Sequence, residues 1–239
     1  MSPTDASPVQ RLRLRRFRAV DDPDCCERYF RCHLEILQQF DMTGITSLSR
    51  DWFTNPHVHA TVIESQEDGE LLGGVRLHKA DGQQALPTER AISFGPPLGP
   101  EVGNFVRDRL AEGIGESCGL WVSRRLAKMG VLPLLMAASF AIAEPLGVRS
   151  LLGSCGHYTL RAFQELGYVI ETSLGAAGTF IYPSPDRNAF FLALRDTRTF
   201  ADATSERRDL ILDLHRRPQQ RHRLESPQAL LDIDVDLRL

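Results

Sequence analysis

The sequence predicts a mixed α/β (α+β) fold: a central sheet flanked by helices, followed by a C-terminal helix and strand. Three observations carry this. Between Arg11 and Leu194, short apolar runs alternate with stretches whose apolar residues recur at helical spacing. In the middle, Leu120, Trp121 and Val122 form a strand-like run that passes through a basic, glycine-bearing loop into an Ala- and Leu-rich helix. At the end, Leu231, Ile233, Val235, Leu237 and Leu239 alternate with Asp232, Asp234 and Asp236, the pattern of a strand with one apolar and one acidic face.

A length of 239 residues is enough for one sizeable core plus an extension. The net charge of -3 supplies no basic field for nucleic acid. The longest apolar stretch, Val131 to Ala143, is too short to span a bilayer, so no integral membrane segment is expected. The polar N-terminus lacks the apolar core of a signal peptide. Cys25, Cys26, Cys32, Cys118 and Cys155 make no CxxC pair and read as reduced core thiols of a cytoplasmic protein.

In chain order, residues 1–10 read as a disordered lead-in. Arg11 to Val20 reads as a strand with Leu12 and Leu14 on one face and Arg11, Arg13 and Arg15 on the other. Asp22 and Pro23 open a helix as N-cap and first residue. Its buried stripe is Cys26, Tyr29, Phe30, His33, Leu37 and Phe40. His59 to Glu64 and Leu71 to His78 form a hairpin around the turn-forming cluster at 65–69. His57 and His59 have no third ligand nearby, and no metal is expected. Residues 80–100, rich in Gly and Pro, read as a long loop, and Asn104 to Ala111 as a short helix.

After the central strand come a helix from Leu132 to Leu146, a strand from Val148 to Cys155, and a helix from Tyr158 to Leu166 stopped by Gly167. Tyr168 to Ile170 and Ala189 to Leu194 are the last strands of a domain spanning 11–197. The extension, 198–239, holds a helix capped by Thr204, a polar linker, and the alternating tail. The tail's acidic face complements the basic face of the first strand. The two are expected to pair as neighbours, within one chain or between the subunits of a homodimer, while an independent edge strand fits the same residues.

The loop Arg124–Val131 delivers cationic side chains to a helix N-terminus, whose first amides lack internal partners and whose dipole favours an anion. Gly130 lets the backbone approach a phosphate. A plain strand-loop-helix connection with surface charge fits the same residues. The element order over residues 11–195, the stretch Leu120–Val131, and the segment Thr159 to Tyr168 resemble the GNAT acyltransferase superfamily. Its autoinducer synthases and long-chain N-acyl amino acid synthases come nearest, through Gly73-Gly-Val-Arg76-Leu77 and through Glu116 at the opening of the fourth strand.

The resemblance implies a largely antiparallel sheet and N-acylation of a small amine or amino-acid acceptor by acyl-CoA or acyl carrier protein. Ordinary acetyl transfer and non-catalytic acyl-CoA binding are the alternatives. Leu120, Trp121, Val122, Arg124, Arg125, Lys128, Met129, Gly130 and Val131 would hold the donor. Glu116 would serve as base and Arg76 would bind the acceptor's carboxylate. The usual acid position falls on Phe163, which leaves Tyr158, His157 or water to protonate the thiolate, and the arginine usually three residues after the glutamate is Gly119 here.

Overall fold

The computed structural model describes residues 9–42 and 44–239, so the lead-in expected at 1–10 lies outside the described residues up to position 8. Strand β1 (Val9–Arg18) buries Leu12 and Leu14 on one side of the sheet and Phe17 on the other. Helix α1 (Pro23–Gln38) starts where the sequence predicts: the Asp22 side chain accepts the Cys25 N–H at 3.0 Å. A cap of this kind contributes about 1 kcal/mol. Cys26, Tyr29, His33 and Leu37 form its buried face, whereas Phe40 lies past its end and is exposed.

Strands β2 (Val58–Ser65) and β3 (Leu71–Lys79) form the expected hairpin. The long loop and α2 (Glu101–Arg109) lead to β4 (Ile114–Val122), a short 3-10 turn at Arg124–Leu126, and α3 (Val131–Ala141). Then follow β5 (Ser150–Gly156), α4 (His157–Glu165), β6 (Val169–Ile170), β7 (Thr179–Ile181) and β8 (Asn188–Leu194). The chain closes with α5 (Ser205–Arg216), β9 (Gln219–Glu225) and β10 (Leu230–Asp236).

All ten strands join one sheet in the order β6-β8-β5-β4-β3-β2-β1-β10-β9, with β7 also on β8. Among the described residues, the pairs β1·β10 and β4·β5 are parallel and the others antiparallel. The largest core lies beneath α3 and α5 and unites Leu12, Leu72, Leu135, Phe140, Ile211 and Ile233. On the opposite face, α1 packs against β3 and β4 through Tyr29, Trp52 and Trp121. Among the described residues, no helix is long and apolar enough to cross a membrane.

Three expectations are corrected. The linker expected after α5 contains β9, an edge strand whose one large apolar side chain, Leu224, gives little periodic signal. The loop expected between the last strands holds the three-residue β7. The helix expected to reach Leu146 leaves regular form after Ala141 and continues as turns.

The tail pairs with β1 inside the chain, Arg11 opposite Asp232, Arg13 opposite Asp234 and Arg15 opposite Asp236. The close ion contacts come from other partners. Arg221 and Arg223 of β9 reach Asp232 at 3.5 and 3.7 Å, while Arg15 turns to Glu64 at 3.1 Å. The pairing is therefore held chiefly by its apolar face. Ile233, fully buried in the main core, measures it: Ile233→Ala is expected to lower stability by about 2–5 kcal/mol, read as a lower urea midpoint at unchanged slope.

Candidate active site

The site is created by two parallel strands that separate. β4 and β5 pair over three positions, Ile114 with Ser150, Gly115 with Leu151 and Glu116 with Leu152, and then diverge. The fork between them opens into a cavity of about 520 Å³. Residues 116–120 of β4 form one wall and residues 154–159 of β5 and α4 another, with residues from the end of α1, the 42–47 loop and the β7–β8 turn completing it.

At the head of the fork stands Glu116, 2% exposed. Its carboxylate accepts the Thr88 N–H at 2.8 Å and the Thr88 hydroxyl at 2.9 Å. Burial pushes its pKa up to about 7, against the opposing effect of the Thr88 hydrogen bonds. Holding the charge there costs on the order of 3 kcal/mol relative to water. A carboxylate with this pKa is half ionised near neutrality, which suits a general base.

Three residues on, β4 is irregular. Between Arg76 and Gly74, β3 advances two positions while β4 advances from Cys118 to Trp121, which makes a bulge at Gly119–Leu120. Gly119 takes φ +64, a left-handed conformation that favours glycine. A Cβ there would also lie 2.8 Å from the Arg76 guanidinium. Tyr29 donates its hydroxyl hydrogen to the Gly119 carbonyl and pins the bulge from the α1 side. A side chain at this position would therefore run into Arg76, which fills the space.

Arg76 does not line the cavity. It is 1% exposed, stacked over Trp52 with 4.5 Å to the ring centroid, and donates to the Ser47 carbonyl. Its Nε has no partner and no carboxylate lies within 4.0 Å among the described residues. Ser47, Cys118 and Gly119 stand between it and the cavity, all three being wall residues. The acceptor contact expected of Arg76 is replaced by a supporting one: the guanidinium holds the wall from behind.

Of the other expected residues, Tyr158 lines the cavity at its rim and is 92% exposed. His157 adjoins it, and Phe163 closes the apolar side. Burial pushes the Cys155 thiol up to about 11 and leaves it a poor nucleophile. His33, on the floor, is driven down to about 3 by burial and stays neutral.

Leu120 lines the cavity, while Trp121 packs edge-on against Tyr29. Val122, Met129 and Val131 belong to the core beneath α3. Arg125 is turned away to Glu70 and Asp68, whereas Arg124 and Lys128 are exposed beside Gly130. Gly130, at φ +76, is the N-cap of α3 and so brings no capping side chain to that end. Sequence reasoning missed Arg187 and Tyr182, which line the cavity, and Thr88, which holds the Glu116 carboxylate; all three come from distant loops with no periodicity to announce them. No cluster of three or more His, Cys, Asp or Glu able to hold a metal occurs among the described residues.

No protein-family model matches the chain. No curated protein matches it. Among solved structures it is similar to FeeM, an N-acyl amino acid synthase from uncultured soil microbes, at 15% identity over 81% of this chain and 96% of that one, with a TM-score of 0.55. It is similar to MesI, a CoA-dependent acyl-homoserine lactone synthase, at 19% identity over 84% and 94%, with a TM-score of 0.56. BjaI, a CoA-dependent acyl-homoserine lactone synthase in complex with SAM and isopentyl-CoA, gives 16% identity over 95% and 94%, with a TM-score of 0.51. These likenesses show the fold: the chain has the GNAT fold its sequence resembles.

Glu116 leaves a signature in stability. Its pKa is raised on folding, so between about 4.5 and about 7 the folded chain binds more protons than the unfolded one, and stability falls as pH rises through that window. The depressed pKa values of His33 and His59 act in the opposite sense, so the carboxyl must be isolated by difference. Glu116→Gln is expected to gain stability over the wild type between pH 5 and pH 8, by on the order of 3 kcal/mol at the upper end. Denaturant titrations at the two pH values check this.

Proposed function

We propose that the protein is an N-acyltransferase. It moves an acyl group from the thioester of acyl-CoA or acyl carrier protein to the amine of a small acceptor, an amino acid being the preferred one. The observation that carries this is a buried carboxylate with a near-neutral pKa at the head of the β4–β5 fork, facing a largely apolar cavity.

The chemistry follows from the placement. The pyrophosphate or phosphopantetheine of the donor sits at the uncapped start of α3, where free amides and the helix dipole meet Arg124 and Lys128. The pantetheine arm runs into the fork and brings the thioester to the bulge. There the ladder to β3 is broken at Gly119–Leu120, and the backbone amide of Leu120, which lines the cavity, polarises the carbonyl and stabilises the oxyanion. Glu116, directly or through water, takes a proton from the amine, which then attacks the carbonyl carbon. The C–N bond forms, the C–S bond breaks, and the departing thiolate receives a proton from Tyr158, His157 or solvent at the rim.

The acyl chain lies against Leu37, Met42, Ile45, Phe163 and Phe190. Of the loop at 80–100 expected to line a channel, only Pro87 reaches the wall. A cytoplasmic protein using no metal fits this reading, with a carrier protein or a second subunit as partners.

The test combines lipid mass spectrometry of bacteria expressing the protein with thermal shifts in acyl-CoA. New N-acyl amino acids or acyl lactones are expected with the wild type. Glu116→Gln should lower turnover about 100-fold or more while acyl-CoA still raises its melting temperature. Acyl-CoA binding without turnover in the wild type would mark a non-catalytic binder, a reading favoured by Phe163 at the family's usual acid position. A Glu116→Gln variant as active as the wild type would sink the assignment of the base.

A further inference from the structure

With Arg76 sealed behind the wall, the cavity carries another guanidinium. Arg187 is the one arginine or lysine among the described residues that line it. It sits in the turn between β7 and β8, immediately before Asn188. The turn holds it in place: its N–H donates to the Ser184 carbonyl at 3.1 Å, and its carbonyl accepts the Tyr182 N–H at 2.8 Å. The side chain is half-buried and reaches across the mouth, where Nη2 donates to the Phe40 carbonyl at 2.9 Å, just past the end of α1.

That contact is the one hydrogen bond of its guanidinium among the described residues, and no carboxylate lies within 4.0 Å of it. The neighbouring Asp186, also in the cavity lining, makes no ion pair with it within 4.0 Å: its carboxylate accepts the Ser184 hydroxyl at 2.7 Å and feels the Arg187 charge only at longer range. A guanidinium carries five N–H donors in a planar fork that matches a carboxylate. Partial burial beside apolar walls leaves its charge less screened than in open water. The cavity thus has two polar poles, Glu116 at the head of the fork and Arg187 at the mouth. Leu37, Met42, Ile45 and Ala189 lie among the walls they share.

We infer that Arg187 anchors a carboxylate of the acyl acceptor, and that the protein acts on anionic amines whose nitrogen turns toward Glu116. This deepens the N-acyl transfer proposed above and rests on it. It assigns to Arg187 the contact that the sequence assigned to Arg76. A neutral amine would leave the guanidinium without its partner and bind more weakly.

The subsite is tested by binding, apart from turnover. The probes are N-lauroylglycine, which carries the carboxylate, and N-lauroylglycinamide, which does not, titrated calorimetrically into the full chain and into Arg187→Gln. The wild type is expected to bind the acid about tenfold more tightly than the amide, and the variant to lose that preference. Equal affinities in the wild type, a preference that survives in Arg187→Gln, or binding of neither probe would overturn the anchor. Acyl transfer that requires Glu116 but ignores an acceptor carboxylate would also overturn it, leaving N-acyl transfer in place. The acid preference without any acyl-CoA binding would support the anchor and remove the acyltransferase reading.

Discussion

Parallel strands share hydrogen bonds only while they run side by side, and β4 and β5 do so for three positions. Everything at the site depends on that short agreement. Backbone groups beyond Glu116 and Leu152 must find other partners or face the cavity, because a buried amide or carbonyl left unpaired is costly. The bulge at Gly119 and the hydroxyl of Tyr29 absorb part of this on β4, while the far edge of β5 stays paired with β8 as far as Gly156. The sheet stays continuous on both flanks, so the opening is local. A flexible loop would give an opening too, but not one whose walls hold a carboxylate within hydrogen-bond distance of a fixed threonine.

The polar groups around this opening sit where packing alone would have placed apolar ones. Glu116 is buried, Arg76 is buried without an ion pair, and His33 and His78 are buried and neutral. Each lowers the stability of the empty fold. Trp52 and Tyr29 soften the cost for Arg76 by offering aromatic faces, and Thr88 does so for Glu116 by donating two hydrogen bonds. Such groups cluster where β3, β4 and α1 meet, whereas the main core beneath α3 is apolar, and a cluster of that kind marks a candidate site.

Local signals made much of the architecture legible. The caps Asp22 and Thr204 accept the hydrogen bonds their positions imply, and the alternation of Leu231 to Leu237 does mark a strand facing the core. Strand β9 escaped because an edge strand with half-exposed side chains has no need of an apolar period. At the site, Glu116 was visible through its place at the start of a recognisable strand. The roles of the two arginines were not. Whether a guanidinium faces a cavity or backs its wall depends on a one-residue bulge and on which aromatic rings lie above it, and Arg76 shows neither in its own neighbourhood of sequence. Arg187 reaches the cavity from a turn with no pattern at all.

The pairing of β1 with β10 has a further consequence for how the chain comes into being. Arg11 and Asp232 are neighbours in the sheet but more than two hundred positions apart along the polypeptide. On the ribosome, β1 can pair early with β2, yet its other edge and the apolar sides of Leu12 and Leu14 wait for β10 to emerge. During translation that open edge is the natural place for a holdase to bind or for two nascent chains to meet. Completion of the core therefore rests on a long-range pairing, the kind of contact that slows folding.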